Sequence, residues 1–164
     1  MAGLRLEDLI DEEPARSDPA DANSPPFPCL TIHLGRTKST TADDDEHVVL
    51  MGRPVTALKH WLAEARIESG PVFRRIDQWG NIDRRAPTPQ SINLILKARI
   101  KQAGLDPVMF SAHGLRSGYL TEAANRGIPL QEAMQQSLHK SMMQAASYYN
   151  NAERKNGRAA RLII

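Results

Sequence analysis

From Thr88 onward the sequence is punctuated as a run of helices, and this punctuation limits the fold more than any other feature. Thr88-Pro89 supplies a cap and a first-turn proline, and Ile92, Ile95, Leu96 and Ile100 follow at helical spacing until Gly104 stops them. Ser111 can cap a second helix through Ala124, closed by Asn125-Arg126-Gly127. Pro129 opens a short third with Leu130, Ala133 and Met134 inward, a fourth begins near Ser141, and the basic tail NAERKNGRAARL adds a last one. The back half is a helical body.

The front half has a different period. LTIHL (30–34) and HVVLM (47–51) alternate and are rich in branched residues, so they read as paired strands joined by the polar STTADDDE. LRLEDLIDEE reads as the end of an amphipathic helix, and PARSDPADANSPPFP (14–28) as a Pro-rich linker or insertion. Arg53 to Arg66 is a helix with Val55, Leu58, Trp61 and Leu62 on one face, and GPVFRRIDQWGNIDRR (70–85) is extended with a turn at Gly80-Asn81. The expected class is mainly α with a small antiparallel β-sheet, one domain over residues 1–164.

Bulk properties narrow the functions. The 164 residues are 41% hydrophobic and 24% charged, values of a soluble globular chain large enough for a core. No apolar run reaches membrane-spanning length, and the start lacks the basic and hydrophobic regions of a signal peptide. A single cysteine, Cys29, excludes an internal disulfide and a cysteine zinc site, and fits a reducing cytoplasm. The net charge of +2 conceals a division: residues 1–46 carry four basic and eleven acidic side chains, residues 47–164 seventeen and eight. A basic body behind an acidic front suits a bound anion.

The residues that could do chemistry lie in that body. HGLR places His113 and Arg116 three apart, on one face of a helix. His139 precedes a helix start, where an imidazole can meet an anion. SLHKSMMQAASYYN then puts Tyr148 and Tyr149 side by side, about 100° apart on a helix, so one of the pair can face a given site. Taken singly, each has a plainer explanation: a satisfied histidine, a surface arginine, a packed aromatic. Together they suit attack of a phenol on a phosphodiester, with an arginine fork on two oxygens, imidazoles as donors or relays, and a lysine such as Lys38 for the leaving alkoxide. No carboxylate or His/Cys set suggests a metal, and no cofactor is expected.

The order Lys38, His113, Arg116, His139, Tyr148, with the tyrosine nine residues after the second histidine, resembles the catalytic domain of the tyrosine recombinases (phage integrases). VTALKHWL followed by GPVFRRID is also similar to the sheet-to-helix stretch of bacterial integrases. The resemblance implies cleavage of one DNA strand through a 3′-phosphotyrosyl link, release of a 5′-hydroxyl, and rejoining without ATP or metal. It implies Tyr148 as nucleophile, Arg116 as phosphate clamp, His113 in proton transfer, His139 as donor to the phosphate and Lys38 at the leaving group. Tyr149 is left for packing or a local hydrogen bond. The implied partner is double-stranded DNA, with a homo-oligomer formed on it through the tail at 150–164, and the implied location is a bacterial cytoplasm, on the nucleoid.

Two positions depart from the family pattern. Leu138 stands where a glycine usually precedes the histidine. The first family arginine sits in a G-L-R-x-S-E-L-like helix, and AGLRLEDL can be laid on that motif, which makes Arg5 the candidate. It can also be laid on the segment after it. The second register is preferred, because the first leaves no helix end before the Pro-rich linker; on it the first arginine is missing. The expectation is then a truncated integrase without the N-terminal DNA-clamping domain, weak in DNA binding and poor in cleavage. The alternative is a non-catalytic remnant that contacts DNA or a partner recombinase; an accidental spacing in an unrelated helical protein is the third reading.

Overall fold

The computed structural model describes residues 3–34 and 46–156, the last seven as backbone course only. Two compact units divide the chain, Met1–Pro89 and Gln90–Ile164. The class is the expected one, helices with a small antiparallel sheet. Among the described residues no helix is long and apolar enough to cross a membrane.

In the first unit β1 (Leu9–Arg16), β2 (Pro26–His33) and β3 (His47–Met51) form an antiparallel sheet in that order. β3 covers the predicted HVVLM, and β2 extends the predicted LTIHL backwards. Residues 35–45, which include Lys38, lie outside the described residues.

The front of the chain corrects two expectations. LRLEDLIDEE makes only a 3-10 turn at Leu6–Asp8 and then enters β1, and residues 14–28 form the end of β1, a turn and the start of β2 instead of a linker. Two of the prolines sit where a sheet tolerates them, at an irregularity and at a strand start. Pro14 lies in the register shift between Glu12 and Ala15 on an edge strand, and Pro26 begins β2 beyond the end of β3. Asp18, Asp21 and Ser24 tie the intervening turn: Asp18 and Asp21 carboxylates accept from the Ala20 and Asn23 amides at 2.9 and 2.8 Å. Ser24 Oγ donates to the Asp18 carbonyl at 2.9 Å.

Against this sheet packs α1 (Arg53–Glu64), whose first turn holds Pro54. Val55, Leu58 and Leu62 join Leu4, Leu30, Ile32, Val72 and Val48 in one apolar cluster. Trp61 lies half-buried beside them, and its indole N–H donates to the Val72 carbonyl at 2.8 Å. β1 is held from outside by Lys59, 2.6 Å from the Asp11 carboxylate.

The regular elements described in the second unit are helices: α2 (Pro89–Gln102), α3 (Ala112–Asn125), α4 (Leu130–Ser137) and α5 (Met142–Asn156). Ser111 caps α3 by accepting from the Gly114 amide at 2.9 Å, and Ser141 does the same for α5 from Gln144 at 3.3 Å. The tail expectation changes, since residues through Asn156 continue α5 and the rest falls outside the described residues. The core is Leu120, Ala123, Ala133 and Ala145. Three of these four are alanines, which lets α3, α4 and α5 approach closely around Leu120.

Helices α1 to α4 close in one way: two amides turn back onto carbonyls three and five residues earlier, through a residue with positive φ. In α2 and α3 that residue is Gly104 or Gly127, at φ 76° and 71°. In α1 and α4 it is Arg66 at 48° and Leu138 at 56°. A side chain there costs about 1 kcal/mol or more. The α4 case lies inside the candidate site.

Candidate active site

Four of the five predicted site residues fall in the second unit, on three helices packed around Leu120. His113 and Arg116 stand on the first turns of α3, exposed. His139 is half-buried in the turn after α4, and Tyr148 is half-buried on α5. The fifth, Lys38, lies outside the described residues.

Arg116 reaches from α3 to the end of α4, where its Nη2 donates to the Leu138 carbonyl at 2.6 Å. That bond spends one of five guanidinium donors. Among the described residues no carboxylate lies within ion-pair distance of the other four. A charged fork that no acid among the described residues neutralises can receive an anion. The same bond fixes the turn that carries His139: Leu138 is held left-handed at φ 56°, ψ 35°, and the His139 amide donates to the Met134 carbonyl at 3.2 Å. The usual glycine of this position is the residue such a turn favours. Leu138→Gly should therefore raise unfolding stability by about 1 kcal/mol, read as a later urea midpoint at unchanged slope. A midpoint that falls would show the leucine side chain to be worth more than the strain.

His139 is oriented by a residue that sequence reasoning passed over. Its Nδ1 lies 2.7 Å from Ser137 Oγ, and Ser137 Oγ lies 2.7 Å from the Ala133 carbonyl. A hydroxyl has one proton. Both contacts are satisfied when the imidazole Nδ1–H donates to Ser137 and Ser137 donates to Ala133. In the neutral ring this leaves Nε2 with its lone pair, a proton acceptor until it is protonated. A hydroxyl two residues before the histidine, in SLH, was the available signal.

Burial, then the Arg116 and His113 charges, holds the His139 pKa below its ordinary value. Three groups able to carry positive charge thus crowd one place, a field that suits a phosphate. The sign for stability follows: the unfolded chain binds the proton more readily than the folded one. Stability is complete above the unfolded pKa of about 6.5 and is lost as pH falls below it toward the folded pKa. His139→Gln should flatten that acid-side loss in urea midpoints measured between about pH 5 and 8; an unchanged slope would remove His139 as its source.

The adjacent tyrosines have separate surroundings. Tyr149 is buried against Ala124, and its hydroxyl donates to the Ile128 carbonyl. Tyr148 packs its ring on the Leu120, Ala133 and Ala145 cluster, and among the described residues its hydroxyl makes no hydrogen bond. One phenol is committed to the fold, the other is available. Arg5, the alternative arginine, is in the first unit, paired with Glu7 at 3.2 Å. Among the described residues no group of three or more His, Cys, Asp or Glu could hold a metal ion.

Comparison with known proteins adds three findings. The family model described as the phage integrase family matches residues 30–155. A protein described as an integrase/recombinase XerD homolog from Selenomonas ruminantium is 38% identical over 118 residues, 68% of this chain and 35% of that protein. A crystal structure of the XerH site-specific recombinase bound to palindromic difH substrate, a post-cleavage complex, superposes with a TM-score of 0.67 at 21% identity, covering 98% of this chain and 40% of that one. The chain thus spans about a third of the curated relative.

Proposed function

This chain belongs to the phage integrase family, and we propose that it carries the strand-transfer chemistry of a site-specific DNA recombinase. The Tyr148 oxygen attacks a backbone phosphorus, a 3′-phosphotyrosyl bond forms, and the 5′-oxygen leaves with a proton. The 5′-hydroxyl of a second strand then attacks that bond and returns the phenol. The phosphodiester energy is kept in the tyrosyl ester, so rejoining needs no nucleotide hydrolysis.

Each role has a physical ground. Arg116 binds two non-bridging oxygens through donors left after its bond to Leu138. His139, once protonated at Nε2 by the approach of the anion, donates to the same oxygens, and His113 beside it assists the phenol proton. Lys38 protonates the leaving 5′-oxygen. The observation that carries the reading is the convergence of Arg116, His113 and His139 into one field, with no acid partner for the arginine among the described residues.

Arg5 stays outside this set; it lies in the first unit, where its guanidinium pairs with the Glu7 carboxylate at 3.2 Å. Absence of the family's first arginine would cost about a hundred- to a thousandfold in rate. Residues 150–164 serve docking on a neighbouring protomer, as sedimentation with and without them would test. The test of the chemistry is a nicked duplex whose cleaved end diffuses away. Accumulation of a covalent protein–DNA adduct supports the reading; DNA binding without any adduct favours a binding remnant.

A further inference from the structure

We propose that the turn from Asp77 to Asn81, on the first unit, is a preformed contact for duplex DNA, with Trp79 entering a groove between phosphates held by Arg75, Arg84 and Arg85. The proposal rests on the strand-transfer reading for the identity of the polyanion and on nothing else in it. Trp79 is 77% exposed at the tip of this turn. An indole held out in water is a poor use of a large apolar side chain unless a partner covers it.

The turn is stiff without that partner. The Asp77 carboxylate accepts from the Trp79 and Asn81 amides at 2.9 and 2.8 Å and from Asn81 Nδ2 at 2.9 Å. The Asp77 amide donates to the Asn81 carbonyl at 3.0 Å, and Ile76 bridges Ile82 below. Gly80 takes φ 86°, which lets the chain reverse directly after the tryptophan. Little conformational freedom remains to be lost on binding, the condition under which an exposed aromatic is most effective.

Charge identifies the occupant. Residues 74–85 hold four arginines and two aspartates. Both acids are turned to backbone donors, Asp77 as above and Asp83 on the Arg85 amide at 3.1 Å. Hydrogen bonding from Asn81 leads the effects that keep the Asp77 carboxyl below its ordinary pKa, so it stays a charged anchor of the turn. Arg74 is spent on the Ser69 and Pro71 carbonyls at 2.7 and 3.0 Å. Arg75, Arg84 and Arg85 are exposed and, among the described residues, form no ion pair. Three exposed guanidinium forks, of which Arg75 also acts on the Asp77 charge, surround a rigid indole and match phosphates flanking a groove, where each fork binds two oxygens and the ring meets sugars and base edges.

The whole chain would be titrated into a fluorescent duplex at several salt concentrations. Arg84→Ala with Arg85→Ala should lower the slope of log affinity against log salt by roughly two, about 0.9 per phosphate lost. Trp79→Ala should weaken binding about tenfold with the slope kept. DNA should also quench tryptophan emission in the wild type and not in Trp79→Phe, since Trp61 is held by Val72. Wild-type affinity and slope in both sets of variants would overturn the proposal, as would equal competition by polyglutamate, which would assign the turn to an acidic protein. Weakened binding in these variants with no covalent adduct from the wild type would sink the strand-transfer reading and leave this one standing.

Discussion

Tyr148→Phe should give no covalent adduct with the nicked duplex while binding the same DNA with wild-type affinity. On the proposed chemistry, removing one oxygen deletes the atom that would form the ester, so the expected loss is complete within detection. The ring is retained on the Leu120, Ala133 and Ala145 cluster, and among the described residues the lost hydroxyl had no hydrogen bond to leave unsatisfied. Stability should therefore hold. Tyr149→Phe supplies the opposite pattern, because its hydroxyl serves the Ile128 carbonyl. It should cost about 1 kcal/mol of stability and leave the adduct in place. Denaturing gels of protein mixed with labelled nicked DNA read the first property, and urea melts the second. An adduct from Tyr148→Phe that disappears in Tyr149→Phe would exchange the two assignments.

The separation of these two phenols was readable because adjacent helical positions diverge and only one can join a given site. Helix limits were readable for a related reason: Ser111, Gly104, Gly127 and Ser141 act through local backbone chemistry, which depends little on distant parts of the chain. β1 was not readable. Leu4, Leu6, Leu9 and Ile10 sit at helical spacing, yet the free edge of β2 pairs with Leu9–Arg16 and Leu4 joins the sheet's core. That outcome is set by pairing with the next strand, which no period within the segment itself reports. The Pro-rich stretch misled for a similar reason, since proline is excluded from sheet interiors but tolerated at bulges and strand starts. In the candidate site, His113, Arg116, His139 and Tyr148 could be picked out as candidates, whereas the Arg116 bond to a backbone carbonyl could not. A carbonyl carries no sequence signature.

That bond sets the second large effect. Arg116→Ala should reduce adduct formation by about a hundred- to a thousandfold, and the figure has two possible sources. The phosphate loses a guanidinium fork, and the left-handed turn at Leu138 loses the donor that fixes its carbonyl. Leu138→Gly separates them, because glycine adopts that turn without strain and needs less help to hold it. If the arginine acts on the phosphate, Arg116→Ala with Leu138→Gly regains stability and not rate. Arg116→Lys should recover only part of the rate, since an ammonium offers charge without the planar fork. The His139 imidazole gives an independent reading. Burial is the main cause of its lowered pKa, the Arg116 charge the next, so its NMR titration midpoint should move upward in Arg116→Ala. A rate restored by Leu138→Gly would show that Arg116 serves the turn and not the phosphorus, and the proposed chemistry would lose its anion clamp.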